Sequence, residues 1–155
     1  MVTLRPTRAW ALALLAAVAG AVAYILTRAF YADVPSPPTF APLWLLLLAL
    51  AEGYTAQLTR GRLAGRPGTK PINPLVVARL AALAKASSPV GALATGAYAG
   101  FLAKVAMTSG AAAHADTRTA IVGVVCGFAL TVAALVLERV CRVKPPPEEP
   151  PLGGN

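Results

Sequence analysis

The chain has 155 residues, of which 57% are hydrophobic and only 13% charged. A water-facing domain carries about 25% charged residues, and a chain of this size holds one bundle with short loops and no separate aqueous domain. The net charge of +8 does not point to nucleic acid, because no basic, aromatic-studded domain is present to read bases.

Four stretches exclude charge. None falls between Arg8 and Arg28, between Asp33 and Glu52, between Lys85 and Lys104, or between Arg118 and Glu138. A helix needs roughly 20 apolar residues to cross a hydrocarbon core about 30 Å thick, so each stretch predicts a membrane span. The first follows the basic segment MVTLRPTR and runs apolar from Ala9. It also resembles a secretory signal, with Ala21-Val22-Ala23 as a small-residue cleavage site. The apolar run continues past that site through Leu26, and removing it would conflict with the charge distribution, so an uncleaved span is expected.

The loop that follows is proline-rich (Pro35, Pro37, Pro38), and Pro42 suits the first turn of the second helix. The middle loop, RGRLAGRPGTKPINP, contains Gly61, Gly65 and Pro67-Gly68 as helix-ending and turn signals. Asn73-Pro74 reads as an N-cap followed by proline at the first helical position. The third helix runs on to about Ala103. A small, polar outer loop over 104–117 precedes the fourth helix, and the tail KPPPEEPPLGGN is expected to be extended or disordered. Cys126 and Cys141 share the fourth helix, 15 residues apart. That is roughly 22 Å by helical rise, too far for a mutual disulfide. Cys126 reads as a packing residue and Cys141 as a spectator thiol near the membrane edge.

Eleven basic residues fall on the side of the termini and middle loop, and three (Arg28, Lys104, Arg118) on the other. By the positive-inside rule both termini are cytoplasmic. The basic middle loop (Arg60, Arg62, Arg66, Lys70, Arg79) would then meet anionic lipid head groups or a cytoplasmic partner.

Helices in lipid associate through close backbone approach, so small residues mark interfaces. Gly91, Gly96 and Gly100 on the third helix and Gly123 and Gly127 on the fourth predict that these two helices pack tightly on each other, a homodimer face being the competing reading. Ala16 and Gly20 give the first helix a weaker signal.

Glu52 and Lys85 are ionisable residues inside apolar spans, where charge is costly and turns toward protein. Both lie roughly 9–12 Å from the flanking Arg79 and Arg60 by helical rise. Lys85 shares a face with Ala92 and Gly96. Pro89 cannot donate to the Lys85 carbonyl, so that carbonyl, the Lys85 ammonium, the Ser88 hydroxyl and Glu52 form a candidate polar site. The alternatives are snorkelling of Lys85 to the head groups, with Glu52 paired to Arg60 or a hydroxyl. No metal-ligand set or nucleophile–base spacing is visible, and no cofactor is expected.

The segment from Arg66 to Gly100, RPGTKPINPLVVARLAALAKASSPVGALATGAYAG, resembles an actinobacterial membrane family catalogued as domain of unknown function 3180. The likeness rests on R-P-G with P-x-x-P-L (Arg66 to Leu75), A-R-x-x-A-L-A-K-A (Ala78 to Ala86) and the trailing G-x-Y-A-G (Gly96 to Gly100). R-P-T-R (Arg5 to Arg8) and L-E-R-x-C-R-V (Leu137 to Val143) extend it across the chain except the tail. The resemblance implies a shared pattern including Arg66, Pro74, Arg79 and Lys85, and genes that often neighbour folate-biosynthesis genes. It implies no activity.

These readings predict an all-α, multi-pass protein of the cell membrane, with four transmembrane helices in an antiparallel bundle. The membrane domain covers 1–143, with spans near 9–28, 42–59, 75–103 and 118–140, and a proline-rich cytoplasmic tail covers 144–155. The expected role is a non-enzymatic accessory or scaffold subunit. The alternative is a small transporter or channel subunit using Glu52 and Lys85; against it, no internal repeat is visible.

Overall fold

The computed structural model describes residues 8–30, 38, 40–63 and 74–141. The turn signals at Gly65 and Pro67-Gly68, the cap at Asn73, most of the first outer loop and the proline-rich tail lie outside them. Four helices form: α1 (Ala9–Phe30), α2 (Ala41–Leu63), α3 (Pro74–Val105) and α4 (Ala111–Cys141). Each is long and apolar enough to cross a membrane, so this is a multi-pass membrane protein. Two prolines sit where a missing donor is harmless. Pro74 opens α3, and Pro42 lies buried in the first turn of α2.

The fourth helix departs from expectation. It starts at Ala111, so most of the anticipated outer loop is helical and the α3–α4 connection is only 106–110. Alanine-rich sequence favours helix strongly. The threonine hydroxyls here are absorbed by the helix: Thr117, within that stretch, and Thr119, just beyond it, donate to the carbonyls of Ala113 and Ala115 at 2.7 and 3.2 Å. Gly110 makes the reversal at φ +134°, a conformation open to a residue without Cβ. Its carbonyl accepts from His114 N–H at 3.1 Å to begin α4. With 32 and 31 residues, α3 and α4 each span roughly 46–48 Å by helical rise. That exceeds a hydrocarbon core, so this hairpin tilts or projects beyond it.

The bundle is a row with α3 and α4 at its centre. α1 packs on the outer side of α3 and α2 on the outer side of α4. α2 touches α3 only marginally, and among the described residues α1 meets neither α2 nor α4. The central pair is antiparallel. A Cβ on Gly91 would lie 2.8 Å from Thr131 N, and one on Gly127 would lie 2.8 Å from Thr95 N. Both helices thus offer a G-x-x-x-T face, Gly91–Thr95 and Gly127–Thr131, running in opposite directions. Each threonine donates back to its own helix, Thr95 to Gly91 O at 2.7 Å and Thr131 to Gly127 O at 3.0 Å. Their hydroxyls are therefore satisfied where water is absent. Tyr98 lays its ring over Gly123 one turn further on.

The outer contact of α3 is parallel. Gly96 faces the Ala16 carbonyl, and Gly100 faces the Gly20 carbonyl. These two glycines therefore serve α1, and the expectation that they pack against α4 is corrected. On a helix, positions 91, 95 and 98 lie on one face and 96 and 100 on another, and each face has its own partner. Among the described residues, α3 with α4 is the extensive antiparallel contact of the row. α1 and α3 meet as parallel neighbours because the chain crosses the membrane between them and returns.

At one end of the row, Ala56 of α2, Val77 and Ala84 of α3, and Leu137 and Cys141 of α4 bury one another, with Leu80 and Ala81 against them. Arg60, Arg79 and Arg139, all exposed, lie near this end, which we call the basic end. Outward-facing apolar residues such as Leu14, Val18, Val22 and Ile25 on α1 present hydrocarbon to lipid, as a spanning helix requires.

A buried carboxyl where three helices meet

One turn from the Ala56–Ala84–Leu137 cluster, the same faces carry Glu52 on α2, Ser87 and Ser88 on α3, and Ala134 on α4, all buried. Ser87 and Ser88 reach this junction because they lie four and three residues before Gly91, on the side of α3 that faces α4. Glu52 is only 1% exposed, and neither of its carboxylate oxygens has a hydrogen-bond partner. The Ser87 hydroxyl comes within interacting range of the carboxyl without reaching hydrogen-bond geometry. Thr55 uses its hydroxyl on the Glu52 backbone carbonyl, at 2.9 Å. Thr59, one turn further toward the basic end, is also buried.

Lys85 is not brought to this carboxyl. It is exposed, and it belongs to the α1-facing stripe with Ala92 and Gly96. The parallel register that sets Gly96 on Ala16 and Gly100 on Gly20 brings Arg8 and Ala9, where α1 begins, level with Ser88 and Pro89, so Lys85 lies about a turn beyond that start. No described residue of α1 extends to its level. The face arithmetic was sound, but the face leads to the end of α1 and away from α2. Pro89 sits inside a continuous α3, and the Ser88 hydroxyl lies 3.5 Å from the Lys85 carbonyl that this proline leaves without its helical donor.

Of the basic loop, Arg60 and Arg79 are described and exposed. Arg62 is helical in backbone, while Arg66 and Lys70 fall outside the described residues. Cys126 and Cys141 are both buried free thiols in α4. Among the described residues, no group of three or more histidine, cysteine or acidic side chains is placed to hold a metal ion.

The sequence marks Ser87 only as a small residue in one stripe with Gly91 and Thr95, and its place beside the Glu52 carboxyl is seen in the structure. Thr95 belongs to that stripe, whereas Thr131 and Tyr98 were missed because attention to small-residue spacing alone hides the larger residue that fills the opposing notch.

No curated protein matches the chain, and no solved structure matches it. A family model described as a protein of unknown function (DUF3180) matches residues 12–145, nearly the whole of the four-helix unit, and the chain belongs to that family.

Proposed function

We propose that the protein is a non-enzymatic accessory subunit of the cell membrane, whose basic end meets anionic head groups or a protein partner. The observation that supports this reading is the row itself. Its two outer helices leave long apolar flanks at either side, and exposed arginines cap one end. Such a shape suits lateral contact within the membrane and charge contact at its surface. A transport role built on a Glu52–Lys85 pair lacks support, since Lys85 lies on a different face from the carboxyl.

Purification of the full chain in mild detergent followed by native mass spectrometry tests the proposal. A stoichiometric partner protein, or retained anionic lipid, is the expected result. A bare monomer or homo-oligomer in the presence of anionic lipid would count against it.

In this reading both termini are cytoplasmic, supported by the uneven distribution of basic residues. In a background lacking Cys126 and Cys141, cysteine at Ser36 or Thr108 should react with a membrane-impermeant thiol reagent in intact cells, and cysteine at Thr69 should not. Labelling at position 69 alone inverts the orientation.

A further inference from the structure

We propose that Glu52 is a binding site for one small exchangeable cation, a proton or a sodium ion, that reaches it from the basic end of the bundle. This proposal stands independently of the accessory role. The physical problem is plain. A carboxylate withdrawn from water without a compensating charge or donor is far more costly than a missing hydrogen bond. Glu52 is withdrawn to 1% exposure, and both of its oxygens lack a hydrogen-bond partner. A fixed basic side chain would settle the charge, but Lys85 is exposed on another face of α3. What remains is a positive charge that can come and go.

The surroundings suit a hard monovalent ion. The Ser87 hydroxyl lies beside the two oxygens of the Glu52 carboxyl, and the same turn of α3 carries the buried Ser88 hydroxyl, which donates to the Lys85 carbonyl that Pro89 leaves without its helical donor. Carboxylate, hydroxyl and released backbone carbonyl oxygens are the ligands that hard cations use, and broken helical bonding inside a membrane supplies them in ion-coupled proteins. One carboxylate matches one positive charge.

Access is shortest toward the basic end. Thr55 and the buried Thr59 continue the polar face of α2 in that direction. Among the described residues, the ionisable groups on the packed elements from this depth toward the basic end are Glu138, one of whose oxygens is buried, Arg139 and the buried Cys141 on α4, the exposed Lys85 and Arg79 on α3, and the exposed Tyr54 and Arg60 on α2. Each lies nearer the basic end than Glu52.

The test is infrared difference spectroscopy on the full chain in lipid nanodiscs. In sodium-free buffer, acidification should produce a carboxylic acid C=O band that is absent from Glu52→Gln and still present in Glu138→Gln. If the site takes sodium, added Na⁺ at fixed pH should remove that band while K⁺ acts much more weakly. If it takes only protons, Na⁺ should leave the band unchanged. Ser87→Ala, which leaves the carboxyl in place should Glu52→Gln not fold, should shift the half-saturating cation concentration about tenfold. A band that responds to neither pH nor Na⁺, or one lost with Glu138 instead, overturns the proposal.

Discussion

Replacing Gly96 or Gly100 by isoleucine is expected to detach α1 from α3 and to destabilise the protein by about 3 kcal/mol or more, the upper range for overpacking. A Cβ at either position would run into backbone, the Ala16 carbonyl or the Gly20 carbonyl, and backbone cannot swing aside as a flexible side chain can. Nothing offsets the loss, because lipid is as apolar as the interface it would replace. Gly53 provides the control. A Cβ there meets nothing within 4 Å, so Gly53→Ala should be neutral or stabilise by about 0.5–1 kcal/mol through helix propensity. Thermal unfolding of the three variants in one detergent decides. Equal stability of Gly96→Ile, Gly100→Ile and the parent would mean that α1 does not sit on α3.

Replacing Glu52 by methionine should raise stability, by about 1–3 kcal/mol in sodium-free buffer near neutral pH. That is the usual cost of a buried polar group left unbonded, and apolar replacement of buried charge is often stabilising. The sign is opposite to the one a Glu52–Lys85 ion pair would give, since breaking a buried pair costs 3–5 kcal/mol or thereabouts. Lys85→Met should change little, within about 0.5 kcal/mol, because the side chain is exposed. The double variant should equal the sum of the two within about 0.5 kcal/mol. A destabilised Glu52→Met that is rescued by Lys85→Met would restore the pair and remove the rationale for a cation site.

The spans were legible in the sequence because the bilayer itself fixes how long charge must be absent. Three of the four charge-free stretches lie wholly within helices, and the second is helical from Ala41 onward. The start of α4 was not legible, because alanine and threonine before Arg118 read as a polar loop until the threonine hydroxyls are seen bonding back along the helix. Small-residue stripes announced close approach but not the partner. Gly96 and Gly91 carry the same local signal, and only the tertiary arrangement sends one to α1 and the other to α4. For the candidate site, Glu52 and Ser88 were legible from polarity in an apolar context. The failure of Lys85 to join them follows from its place on the stripe of α3 that faces α1, and which stripe meets which helix is set by the tertiary arrangement.

The placement of α3 and α4 at the centre of the row bears on how the protein is made. Synthesis delivers α1 and α2 first, yet these two have no contact with each other among the described residues. Until the second half of the chain arrives, they are separate helices diffusing in lipid, tied by a loop and without a shared interior. The α3–α4 hairpin brings its own antiparallel interface and offers one side to each waiting helix. It must enter between them, or they must gather around it. Biogenesis is therefore completed only once α4 has left the ribosome, and a chain stopped after α2 has no packed partner among the described residues.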